Sequence, residues 1–164
     1  VDNKNKLNLR PVKFDDCLLL YTWANEEGVR KNAFISEPIK YEDHILWFQN
    51  KLNASSGVYI FILENMNMPI GQIRFDLIHD VEYFYQIDYS ITVENQNNGF
   101  GTKIIALGLL ELIKKQVDCN IIRALVKADN VASVKCFLRN KFKIIYKDME
   151  LVKLEFKLNE FLNE

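Results

Sequence analysis

The chain is predicted to be an α/β protein, one domain spanning residues 1–164, with a mixed sheet flanked by helices. Three observations carry this. Runs of β-branched and aromatic residues alternate with polar ones through the middle of the chain. Two later segments, Gly99–Gln116 and Val131–Asn140, switch to helical periodicity. Strands and helices interleave along the chain, an order that packs helices on sheet faces. A length of 164 residues suits one domain, and an apolar fraction of 49% can build a full core without metals or disulfides.

The elements follow in order. Leu7–Arg10 reads as an opening strand, because Leu7 and Leu9 alternate with polar neighbours. Asp15 and Asp16 precede the apolar run Cys17–Tyr21 and Trp23, which suits a helix start by capping and by the dipole. Gly28 is read as that helix's end. A second helix follows Pro38, with Ile45, Trp47, Phe48 and Leu52 at helical spacing. Val58–Glu64 is a strand, Asn65–Pro69 a turn and Ile70–Ile78 the returning strand of a hairpin. In Tyr83–Val93, Ile87, Tyr89, Ile91 and Val93 alternate with Asp88, Ser90 and Thr92. After the helix over Gly99–Gln116 come a strand at Ile121–Val126, a helix at Val131–Asn140 and a closing strand pair within Phe142–Lys157. The order is β-α-α-β-β-β-α-β-α-β-β, about seven strands with a largely antiparallel front half.

Charge and cysteine content narrow the function. The chain has 21 basic and 22 acidic residues. A nucleic-acid binder usually carries a basic excess, so nucleic acid is not an expected partner. No apolar run approaches the ~18 residues of a membrane span. Val1–Lys6 is polar, without a signal-peptide core. Cys17, Cys119 and Cys136 are scattered and odd in number, which fits small buried thiols in a reducing, cytoplasmic setting. No metal is called for.

The informative stretch is a strand, Tyr89–Val93, feeding the loop Gln96–Thr102, which opens a helix. Backbone N–H groups at a helix N-terminus lack intrahelical partners and face the positive end of the dipole, so they make an anion site. Glycines let that backbone approach an anion closely. A pyrophosphate is the natural guest. The loop lacks the Gly-Lys-Ser/Thr of a P-loop and the third glycine of a dinucleotide fingerprint. Two glycines alone also suit an ordinary strand–helix connection.

Gln96-x-x-Gly99-x-Gly101 resembles the Q/R-x-x-G-x-G/A signature of the GNAT superfamily of acetyl-CoA-dependent N-acetyltransferases. Asp129–Phe142 is similar to that family's next motif: Asn130, then Ser133, an aromatic at 137, and Phe142 beginning the next strand. The element order is also the family's. The resemblance implies a centrally splayed sheet with acetyl-CoA as cosubstrate. The backbone of Ile91 and Val93 would bond the pantetheine arm. The loop residues Gln96, Asn98, Gly99, Phe100, Gly101 and Thr102 would hold the pyrophosphate, and Asn130 and Ser133 would face the cosubstrate across the split. Asn130 is equally suited to be a helix N-cap. Two departures stand out. Phe137 occupies a position where many members have a Tyr that protonates the departing thiolate, and Lys141 stands where Gly usually precedes Phe142.

Acetyl transfer needs a neutral, aligned amine and a donor for the developing oxyanion. A backbone N–H on the strand ending at Val93 is the expected donor. Asp88 or Glu94 is the expected base, and either is equally at home as a solvated strand residue. The stretch Trp23-x-Asn25-x-x-x-Val29-Arg30, with Phe34 and His44-x-x-Trp47-Phe48, is similar to the GNAT branch that acetylates 4-amino sugars on nucleotides, as in the pseudaminic-acid pathway. Relatives that acetylate ribosomal-protein N-termini share part of it. A nucleotide sugar also fits these residues physically: Arg30 can pair with a diphosphate, His44 offers a further donor, and Phe34, Trp47 or Phe48 can stack on the base. Arg74 is a further acceptor candidate. Plainer readings stand beside these: an Arg30 salt bridge with Glu26 or Glu27, Trp47 and Phe48 as core, and His44 helping to start its helix. Three functions compete: an amino-sugar nucleotide N-acetyltransferase, an acetyltransferase for a protein α-amine or small amine, and a non-catalytic acyl-CoA-binding module. Strand edges near the C-terminus are open to pairing in a homodimer.

Overall fold

Seven strands form one sheet in the order β1-β2-β3-β4-β5-β7-β6. They are β1 (Leu7–Pro11), β2 (Val58–Asn65), β3 (Met68–His79), β4 (Tyr83–Ile91), β5 (Ile121–Lys127), β6 (Lys143–Lys147) and β7 (Leu151–Lys157). The computed structural model describes residues 7–53 and 57–161, so Val1–Lys6 lies outside the described residues. The helices are α1 (Cys17–Ala24), α2 (Glu27–Asn32), α3 (Tyr41–Leu52), α4 (Phe100–Lys114), α5 (Val131–Arg139) and a short α6 (Leu158–Phe161).

Local chemistry sets the register of the front half. Met66 and Asn67 both have positive φ (51° and 65°), the signature of a two-residue turn whose twist matches the β2–β3 hairpin. Alternation then sends Ile60 and Ile62 to one face, where they meet Leu20, Trp23 and Phe48 of α1 and α3. Ile73, Phe75, Ile87 and Ile91 go to the other face, against Ile104, Ile105, Leu109 and Leu112 of α4. Each fully buried side chain of this size contributes about 1.5–3 kcal/mol. Gly108 lets α4 lie close on β3, since a Cβ there would stand 2.6 Å from Ile73 Cδ1.

Every pairing is antiparallel except β4 with β5. That parallel pairing covers only Tyr85–Ile87 against Ile122–Ala124. Beyond it β4 stays paired to β3 as far as Ile91, and β5 stays paired to β7 as far as Lys127. The two strands therefore part, and the sheet opens in a V at its centre, as expected of a splayed α/β sheet.

The sequence reading needs three corrections here. Gly28 does not end the first helix. Asn25 does, its side chain bonding the carbonyls of Tyr21 and Ile39 and accepting the Ile39 N–H. Gly28 lies inside an additional helix, α2, where a Cβ would stand 3.1 Å from Val93 Cγ2. Asp16 does not cap α1 with its side chain. It is buried, accepts the Lys13 N–H at 2.6 Å and pairs with Arg10 at 2.7 Å. Finally, β4 ends at Ile91, and Val93–Asn95 forms a 3-10 turn.

Candidate active site

The loop after β4 is held by its own side chains. Gln96 Nε2 donates to the Ile91 carbonyl (3.1 Å), and Asn98 Nδ2 donates to the carbonyls of Asn95 and Gln96. Asn97 (φ 61°) and Gly99 (φ 77°) both take left-handed backbone. Gly99 is the N-cap of α4, which has no side-chain cap. The first-turn N–H groups of Phe100, Gly101 and Thr102 thus end in an uncapped, positive helix terminus, the arrangement that receives a phosphate. Thr102 Oγ1 is buried without a partner. Gly101 needs to be glycine for a different reason. A Cβ there would stand 3.0 Å from Cys136 Sγ and 3.3 Å from the Tyr89 hydroxyl.

Two backbone groups expected to meet the pantetheine arm are engaged within the chain. The Ile91 carbonyl accepts from Gln96, and the Val93 N–H donates to Glu26 Oε2 at 2.9 Å. The expected oxyanion donor at Val93 is thus occupied by a carboxylate. Asp88–Ile91, paired to β3 on one side and free of β5 on the other, remains as the strand edge facing the split. Across the split, Asn130 acts as the N-cap of α5, accepting the Ser133 N–H at 3.2 Å. Lys141 takes φ 65° after α5, so it adopts the conformation that a glycine would take without strain. Between the two arms stands Tyr89, its ring edge-on to Phe137 with centroids 5.6 Å apart. Burial raises its phenol above the ordinary tyrosine value, against the opposing effect of a Ser133 hydrogen bond.

The opposite face of β4 carries a polar cluster. Asp88, 52% exposed at its side chain, accepts from Gln72 Nε2 at 3.1 Å and lies 3.9 Å from Arg74. Ser90 Oγ is also within reach of Gln72 (3.5 Å). Arg74 pairs with Asp76 at 2.6 Å, and Lys51 meets the other oxygen of Asp76 at the same distance. The Arg74 guanidinium lies over the Trp47 ring, 5.2 Å from its centroid. Burial works against its charge, but Asp88 and Asp76 outweigh that effect and hold it protonated. Glu94 is exposed in the 3-10 turn, away from these contacts.

Two expected acceptor residues are placed elsewhere. His44 is 4% exposed and its Nε2 bonds the Cys17 carbonyl at 2.9 Å, so it struts α3 against α1 and has no open face for a ligand. Burial lowers its pKa, partly offset by that hydrogen bond. Arg30 makes no salt bridge with Glu26 or Glu27, and its Nε is buried without a partner. Its Nη1 donates to the carbonyls of Ile35 and Glu37, and it lines a cavity of about 550 Å³ with Ile35, Pro38 and Asp43. Phe34 is 56% exposed on the same loop. Trp47 packs on the α1–α3 core and shares the acceptor face only through Arg74, and Phe48 is fully buried.

Sequence reading missed three residues at the split. Glu26 reaches the 3-10 turn after β4 from the α1–α2 junction, Tyr89 enters the sequence reading only as part of an alternation, and Asn140 ties the Thr102 and Cys136 carbonyls together (3.0 and 2.8 Å). No local pattern marks Glu26 or Asn140, because their partners lie 67 and 38 residues away.

Among the described residues no helix is long and apolar enough to cross a membrane, and no group of three or more His, Cys, Asp or Glu side chains could hold a metal. Solved structures share this architecture. A spermidine N-acetyltransferase from Vibrio cholerae, in complex with CoA and spermine, superposes with a TM-score of 0.81 at 16% identity, covering 96% of this chain and 98% of that one. A domain from Methanocaldococcus jannaschii gives 0.78 at 21% identity, covering 94% and 99%. An aminoglycoside acetyltransferase in complex with coenzyme A gives 0.78 at 16%, covering 96% and 98%. At these identities the likeness is one of fold. No protein of curated function matches the sequence. A family model described as acetyltransferase (GNAT) domain matches residues 6–143. The split sheet, the uncapped loop–helix junction and that match together establish that the chain belongs to the GNAT acetyltransferase family.

Proposed function

We propose that the chain transfers the acetyl group of acetyl-CoA to the primary amine of a nucleotide-linked amino sugar. The main-chain N–H groups of Asn97–Thr102 hold the pyrophosphate, the edge Asp88–Ile91 receives the pantetheine arm, and Asn130 and Ser133 border it from α5. The uncapped N-terminus of α4 and the left-handed turns at Asn97 and Gly99 fit an anion of that kind.

The observation that carries the acceptor reading is the mixed polar face of β3 and β4. Asp88 offers a carboxylate to take the amine's proton, Gln72 and Ser90 offer neutral partners for sugar hydroxyls, and Arg74 holds a fixed positive charge beneath Trp47. That set, rich in neutral hydrogen-bonding partners with Arg74 balanced by Asp76 and Asp88, suits a polyhydroxylated amine. With His44 buried against Cys17 and Arg30 Nη1 bonded to the Ile35 and Glu37 carbonyls, we assign the nucleotide to Arg74, Trp47 and the α2–α3 loop carrying Phe34. One observation favours a second reading: Glu26 and Glu94 at the end of β4 make an acidic rim that would attract a cationic amine such as a polyamine.

The test is thiol release from acetyl-CoA with UDP- and dTDP-linked 4-amino sugars, polyamines, aminoglycosides and N-terminal peptides. Turnover with an amino-sugar nucleotide alone supports the proposal. Turnover with polyamines alone replaces it with the second reading.

A further inference from the structure

We propose that the Tyr89 hydroxyl is the proton donor to the sulfur that leaves when the acetyl group is transferred, an inference that rests on the acetyl-CoA reading above. Breaking a C–S bond leaves an electron pair on sulfur, and a positioned acid lowers the cost of that step. Phe137 of α5, buried in the core and edge-on to Tyr89, is a hydrocarbon and can give no proton. Tyr89 stands against it in the stretch of β4 that is free of β5. Its hydroxyl is beside Gly101 at the start of α4 and within hydrogen-bonding reach of Ser133 and Cys136 on α5. One phenol therefore touches all three elements that border the split.

The surroundings suit a donor. The half-buried phenol, raised above the ordinary tyrosine value by desolvation, stays neutral near pH 7, so it carries the proton the reaction needs. Ser133 can donate to the phenolate once that proton has left. The edge contact with Phe137 does not require the hydroxyl, since a phenylalanine ring would make it equally well. The step balances as follows. The amine lone pair forms the C–N bond, and the C–S bond breaks with its electrons on sulfur. The Tyr89 proton moves to sulfur to give the free thiol, Asp88 takes the proton that the amine nitrogen loses and passes it to solvent, and the phenolate regains one proton from solvent.

The test keeps the ring and removes the oxygen. In Tyr89→Phe, thiol release is followed with the best acceptor of the panel or, without one, as basal hydrolysis of acetyl-CoA, which breaks the same bond. The expected result is a fall in kcat of about 100-fold, the lower end for a lost general acid, with acetyl-CoA affinity unchanged by titration calorimetry. An unchanged kcat overturns the proposal. So does a loss matched by weaker acetyl-CoA binding, which would make Tyr89 a packing strut. Loss of turnover in Cys136→Ala but not in Tyr89→Phe assigns the proton to the thiol and overturns it too. Failure of the wild-type chain to bind acetyl-CoA is seen before any variant is made, and it removes the cosubstrate reading itself.

Discussion

The two halves of the site are built from different material. The loop Gln96–Thr102 presents main chain: two left-handed residues, an uncapped helix start and side chains that point back to brace the loop. The α1–α3 region and the polar face of β4 present side chains whose partners come from distant segments, as with Glu26 and Val93, Arg74 and Trp47, or His44 and Cys17. A main-chain site leaves a short signature, because glycine and asparagine sit where the backbone demands them. A side-chain site leaves none, because the same arginine or histidine serves equally as ligand or strut.

Substitutions can separate the halves. The largest expected effect is on the acceptor side. Asp88→Asn keeps the hydrogen bond with Gln72 but cannot accept a proton, and kcat is expected to fall by about 10²-fold or more. Acetyl-CoA affinity, measured by calorimetry, should stay within twofold. A matching loss of affinity would merge the two halves into one site. Gly99→Asp is the reciprocal change. Aspartate tolerates left-handed backbone and is a favoured N-cap, so the melting temperature should hold or rise. Its carboxylate would occupy the N–H groups meant for the pyrophosphate, and acetyl-CoA affinity should drop by roughly 10–100-fold, the worth of one or two charge-assisted hydrogen bonds. Unchanged affinity would place the anion elsewhere.

Two smaller effects test the structural assignments. Folding lowers the pKa of His44, so the folded chain favours the neutral ring. Above about pH 6.5 both states are neutral and the residue contributes no pH dependence. As the pH falls through that value the unfolded chain takes up a proton that the folded chain resists, and stability declines until the folded pKa is reached. Denaturation at pH 7 and pH 5 should show this loss, and His44→Gln should flatten it. A flat wild-type profile would return His44 to the surface and reopen its acceptor role. Lys141→Gly should raise stability by up to about 1 kcal/mol, because Lys141 holds a left-handed conformation. No gain in the melting temperature would mean that the lysine's own contacts offset the strain.

Legibility in the sequence followed the same division. The order of elements along the chain and the glycine-bearing strand–loop–helix junction could be read because periodicity and glycine placement are local, while the splayed sheet followed only from the family resemblance. The extra helix α2 was missed because Gly28 was taken as punctuation, whereas its role is close packing on Val93, far along the chain. His44 was read as a donor because a lone histidine among aromatics has the same spacing in a core as in a cleft. Glu26 and Tyr89 were passed over because the first is one of several loop acids and the second keeps step with the strand alternation.

The most direct test of the central claim is a titration of the isotopically labelled chain with coenzyme A, followed by backbone amide NMR. The account predicts that the amides of Asn97–Thr102 and Asp88–Ile91 move, while those of Arg30–Asp43 around the 550 Å³ cavity do not. Shifts confined to Arg30–Asp43, with the loop silent, would contradict it.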